Sequence, residues 1–252
     1  MCRSKVVTTL LYRTTLLALL TCGTVLAQHS VPLPQHSSQA DGHHAHGSAT
    51  SDEAWEGSEQ GIAYSERNHH IAGCMVLLMG LAELSHVLQL SALRWARLLL
   101  PSALMLAGFF IMIWSDHEAW PIGSLTFADT FSGHDHEILQ HKLYGILALG
   151  VGSVELFRRL GRIGHIAWAS PLPLMAIVGG LMLFGHSHGI HPSAQKIAMH
   201  HAIMGTMAVT AGSSKLVSTW VGPAERSPST SWDWVWVSLI LLIGAQLLMY
   251  SE

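Results

Sequence analysis

The chain has 252 residues, of which 50% are apolar and only 12% charged, with a net charge of −3. Soluble domains carry about twice that share of charge, so long apolar blocks with so few charges place the chain in the membrane class. The small net charge, without a basic patch interleaved with aromatics, argues against a nucleic-acid partner, and three cysteines, two of them Cys2 and Cys22, cannot build a disulfide framework in a mature chain.

Residues 1–27 read as a signal peptide: Arg3, Lys5 and Arg13, an apolar run from Leu16 to Leu26, and Val25-Leu26-Ala27 as a small-residue cleavage site. An uncleaved anchor or lipidation at Cys22 are the alternatives, and each delivers the next segment outside the cytoplasm. Residues 28–68 are rich in Ser, Gln, Gly, Asp, Glu and His. They hold too little aliphatic surface to offset their ordering entropy, which predicts a disordered periplasmic tail. Within it, Asp41-Gly42-His43-His44-Ala45-His46 is either an exposed metal collector or a solvated stretch.

Residues 69–252 carry six apolar segments, at roughly 69–90, 95–114, 138–158, 166–186, 197–220 and 232–250. Each is close to the ~20 residues that span a bilayer as a helix, and only helices satisfy their own backbone in lipid. The expectation is an all-α, integral-membrane six-helix bundle at the inner membrane. Loops assigned to the inside hold Arg94, Arg97, Arg158, Arg159, Arg162, Lys215 and Arg226, whereas the outer loop 115–137 has no Lys or Arg. On that topology only His86 and His165 of the 18 histidines are cytoplasmic.

The first, third and fifth segments share a spacing: His69, Gly73, Gly80, Glu83; His141, Gly145, Gly152, Glu155; His201, Gly205, Gly212, Lys215. On an α-helix these positions fall within an arc of roughly 80°. Pro101 and Gly108 of the second segment correspond to Pro173 and Gly180 of the fourth, and the sixth keeps Gly244. The unit is a helical hairpin used three times, degraded at the tip of the sixth segment, which has no histidine. The glycines suit close helix packing. Glu83, Glu155 and Lys215, about 21 Å along the helix from the histidines, are either interfacial snorkelling groups or a buried, mutually paired cluster.

Odd segments begin with histidine and even ones end with it, so one outer layer should gather His69, His70, His117, His141, His186, His188, His200 and His201. Converging neutral imidazoles suit a transition-metal ion, and His69, His141 and His201 occupy equivalent inward positions. His134, His136 and His191 flank the layer. His70 with Cys74, and His200 with Met204, share a helix face, and imidazole with thioether favours Cu(I).

With its exported histidine-rich tail, multiple spans and periplasmic His and Met positions, the chain resembles the copper-resistance protein D family of bacterial membrane proteins over roughly residues 69–250. The resemblance implies copper binding, transport or resistance at the inner membrane, alongside periplasmic copper-binding proteins, and no enzyme activity. The rival expectation is a b-type haem electron-transfer protein. The His-x-x-x-Gly starts at His69, His141 and His201 are similar to those of transmembrane cytochromes b, and would make these three the haem ligands. A structural or assembly subunit is the third class. No Ser, His and Asp set, His-Glu-x-x-His or phosphate-binding glycine loop is present to suggest a hydrolase.

Overall fold

The computed structural model describes Trp55 and residues 58–133, 135–185, 194–221 and 229–251, apart from the side chains of 91–94. The signal peptide, the histidine motif at 41–46, His134, His186, His188 and His191 lie outside these residues. Every regular element among the described residues is helical: α1 (Glu59–Val87), α2 (Leu99–Trp114), α3 (His136–Arg159), α4 (Pro171–Leu183), α5 (Ala194–Val221) and α6 (Ser231–Leu248). A short helix, Phe127–Phe131, lies in the α2–α3 connection, and 3₁₀ stretches at Ser91–Leu98 and Ile166–Ala169 lead into α2 and α4.

Four helical stretches are long and apolar enough to cross a membrane: Glu59–Val87, Trp95–Trp114, Ile166–Leu183 and Ser231–Leu248. This is the composition of a polytopic membrane protein. The helices α3 and α5 reach 24 and 28 residues, but each is diluted by polar groups: His141, Lys142 and Glu155 on α3, His200, His201 and Lys215 on α5.

Side-chain caps start several of the helices. Asp135 accepts from the amides of Glu137 and Ile138 at 2.8 and 3.1 Å, and Thr230 with Asp233 forms a reciprocal capping box on α6. The start of α1 differs from expectation. Ser58 accepts from the Gly61 amide at 3.1 Å, and the helix begins at Glu59, so residues 59–68 are helix rather than tail. Two bonds to the end of α2 hold this extra length: Tyr64 Oη and Asn68 Nδ2 donate to the Trp114 carbonyl at 2.6 and 3.0 Å. Composition alone could not foresee partners about fifty residues away.

Each long helix packs on two others, so that α1, α2, α3, α4, α5 and α6 follow one another around a closed circuit in which α6 returns to α1. The closest crossings are made by glycine. A Cβ added to Gly145 would lie 3.0 Å from the Gly108 carbonyl oxygen, one on Gly205 2.6 Å from that of Gly180, and one on Gly73 3.1 Å from that of Gly244. Backbones this close leave no room for a side chain, which is the packing role expected of the glycines. The tight pairs are therefore α2 with α3, α4 with α5 and α6 with α1. The anticipated α1–α2, α3–α4 and α5–α6 pairings are looser, because the even helices turn their glycines toward the odd helix that follows, or toward α1.

Candidate functional site

The circuit of helices surrounds a partly open chamber of about 360 Å³, to which all six long helices contribute. Its walls are apolar over most of their area, with Met79, Leu104, Met175, Met204, Trp236 and Ile240 among them, and the polar side chains His69, Gln140, His141, Tyr144 and His201 gather toward one end. The three histidines placed at equivalent positions by the sequence spacing thus line one cavity.

His69 and His201 face each other with ring centroids 6.1 Å apart and planes 28° from parallel. His201 is almost fully buried. The Nδ1 of His69 donates to the Ser65 carbonyl, one turn back on α1, at 2.9 Å. Because a carbonyl can only accept, this bond puts a proton on Nδ1. The ring of Tyr250, just beyond α6, lies on the His69 imidazole at 3.9 Å and 15°.

His141 is held from a different direction. Its Nδ1 bonds Asp116 Oδ1 at 2.7 Å, while Lys142, with no exposed surface, donates to Asp116 Oδ2 and to the Met112 carbonyl, each at 3.1 Å. Burial alone would raise the Asp116 carboxyl, but the His141 hydrogen bond and charge, the Ser115 hydroxyl and the Lys142 ammonium together hold it below its ordinary value.

The other predicted histidines among the described residues, His70, His117 and His200, do not line the chamber. His70 Nε2 bonds the Tyr250 carbonyl at 3.0 Å. His200 stands nearly perpendicular to the Tyr250 ring at 5.6 Å, and its Nδ1 is buried with no hydrogen-bond partner among the described residues. His117 packs on Trp55 at 4.2 Å and lies 3.6 Å from Glu118. Of the two ligand pairs suggested by helix spacing, Cys74 is buried away from the chamber, and Met204 reaches it beside His201 rather than His200. No group of three or more His, Cys, Asp or Glu side chains among the described residues is arranged to hold a metal ion.

At the other end, Trp236 closes the chamber, and its indole N–H donates to Glu83 Oε2 at 3.0 Å. Glu83 also pairs with Arg159 at 2.7 Å and approaches Lys215 at 3.5 Å; Arg159 holds Glu155 at 2.5 Å, and Lys215 holds Asp233 at 3.1 Å. Glu83 and Glu155 are 3% and 2% exposed, so the repeat carboxylates form a buried, paired cluster rather than a snorkelling fringe. The sequence reading missed Arg159 as the centre of this cluster, having assigned it to a cytoplasmic loop. It missed Asp116 and Tyr250 as well. For Asp116 a signal existed, since it and Glu118 flank His117 at the end of α2; for Tyr250 there was none.

No protein-family model, curated protein or solved structure matches this chain.

Proposed function

We propose that this is a six-span inner-membrane protein of three repeated helical units that holds a metal centre between His69 and His201, and that the centre is the iron of a b-type haem serving electron transfer. The observation that carries the reading is the pair of imidazoles 6.1 Å apart on the wall of a large apolar cavity. Were His69 and His201 to share one ion at metal–nitrogen distances of about 2 Å, their ring centres would lie roughly 6 Å apart. The Ser65 carbonyl that orients His69 is the kind of partner that metal-bound histidines keep on their second nitrogen.

Volume favours a prosthetic group over a bare ion. The cavity's 360 Å³ is more than ten times the ~30 Å³ share of a liquid water molecule, and it falls in the ~300–1,000 Å³ range of cofactor sites. An ion alone would leave apolar walls facing empty space. A bound haem would supply one-electron chemistry, with His69 and His201 as its ligands, His141 at its polar edge and the Met and Leu walls excluding water.

Three further observations support the membrane arrangement. The glycine crossings recur at equivalent positions in three helix pairs. The polar residues that dilute α3 and α5 face the interior or one another, which lets those helices span as well. Arginines cluster at the Glu83 end, so the positive-inside rule puts the histidine end and the N-terminal tail on the periplasmic side.

One observation favours a copper site instead, the function implied by the copper-resistance resemblance. Met204 lies beside His201 on the chamber wall, and a thioether with two imidazoles suits Cu(I). Reduced and oxidised absorption spectra of detergent-purified protein, with elemental analysis of the same sample, decide between them. We expect a strong haem band and stoichiometric iron, both lost in His201→Ala; stoichiometric copper without haem would establish the second reading, and the absence of both would reject the site.

A further inference from the structure

The sixth segment carries no histidine, yet its end reaches the histidine layer. The chain leaves α6 through a turn in which the Tyr250 amide donates to the Leu247 carbonyl at 3.4 Å, and this folds Tyr250 back against α1. There the side chain is 2% exposed. Its ring covers one face of His69 at 3.9 Å and 15°, its carbonyl bonds Nε2 of the adjacent His70 at 3.0 Å, and it stands nearly perpendicular to the His200 ring of α5 at 5.6 Å. One residue therefore touches three histidines on two helices. Lys196 Nζ to Ser251 Oγ, at 3.2 Å, ties the next residue to α5 as well.

We propose that Tyr250 is the positioning residue for His69, fixing the plane in which its imidazole is presented across the chamber to His201. The proposal rests on the reading of His69 and His201 as the ligand pair. The physical reason is rotational. The Ser65 carbonyl bond fixes where Nδ1 lies but leaves the ring free to rock about that bond. A flat, buried phenol ring parallel to the imidazole removes this freedom, and the His70 bond keeps the tyrosine backbone from retreating. Planarity and size do the positioning, so phenylalanine should serve and a small side chain should not.

The test uses the full-length protein in detergent, with Tyr250→Phe and Tyr250→Ala compared to the parent. In haem-free protein, acylation of His69 by diethyl pyrocarbonate, read by peptide mass, should be several-fold faster in Tyr250→Ala and unchanged in Tyr250→Phe. With hemin added, outer contacts on a ligating histidine typically change affinity by about 10- to 100-fold, so Tyr250→Ala should bind hemin more weakly by a factor in that range. The low-spin electron paramagnetic resonance signal, which reports ring orientation, should broaden in the same variant, with the parent signal restored in Tyr250→Phe. Equal acylation rates in all three proteins would overturn the proposal. A parent protein that binds no hemin would instead overturn the ligand reading, and the acylation rates would still decide the role of Tyr250. A helical circular dichroism spectrum equal to the parent's excludes misfolding, and should Tyr250→Ala fail that check, Tyr250→Leu takes its place with the same expectation.

Discussion

The chamber's two ends are both polar islands in an apolar bundle, and they are built in opposite ways. At the Glu83 end every acid meets a base: Glu83 with Arg159 and Lys215, Glu155 with Arg159, Asp233 with Lys215. Ions in a low-dielectric interior are tolerated only when paired in this manner, and such a cluster has no capacity left for a ligand. At the histidine end one acid, Asp116, meets His141 and Lys142, the Nδ1 of His69 is tied to the Ser65 carbonyl, and His69, His141 and His201 border open volume. Saturation marks the first end as a clamp. Oriented donors around a cavity mark the second as a site.

The sharpest way to break this contrast is to unpair the clamp. Glu83→Ala leaves Arg159 with Glu155 alone and Lys215 with Asp233 alone and should cost about 3 kcal/mol, the low end for breaking a buried ion pair, read as a lower midpoint in denaturing-detergent titration; an unchanged midpoint would remove the clamp from the account. Asp116→Asn removes a charged acceptor from His141 and Lys142 and should cost about 1.5–3 kcal/mol. Because the folded Asp116 carboxyl is held below its ordinary value, its stabilisation is present above the unfolded value near ~3.9 and disappears as pH falls through the lower folded value. The Asn variant should therefore lose part of the acid-induced drop in stability that the parent shows in that window. Gly205→Ala forces a methyl toward the Gly180 carbonyl and should cost about 1–3 kcal/mol by overpacking. Gly150, which faces open space, gives the smallest effect: Gly150→Ala should stabilise the helix by about 0.5–1 kcal/mol. Thermal midpoints of the Gly205 and Gly150 variants moving in the same direction would show that the glycine crossings are not what holds the helices.

Much of this was legible in the chain because it is periodic. The spacing of His69, Gly73, Gly80 and Glu83, recurring from His141 and again from His201, places histidine and glycine on one face without any knowledge of partners, and the three histidines do line one chamber. What periodicity does not encode is which neighbour a face meets. The glycines were expected to serve close helix packing without a named partner, and they join α2 with α3, α4 with α5 and α6 with α1. Arg159 lies 76 residues from Glu83, and Tyr250 lies 180 from His70. A tyrosine or arginine at a segment's end has an adequate solvated role in isolation, so only tertiary structure reveals the other one.

The glycine crossings also dictate how the circuit can breathe. Backbones in direct contact behave as a single plank, so the wall consists of three double-width planks, and any widening must occur at the joints between them. The α3–α4 joint is the least packed of these, with Tyr144 of α3 set directly over Gly179 of α4. Any opening of the wall should therefore begin at that joint, where one phenol ring and not a backbone contact holds the two planks together.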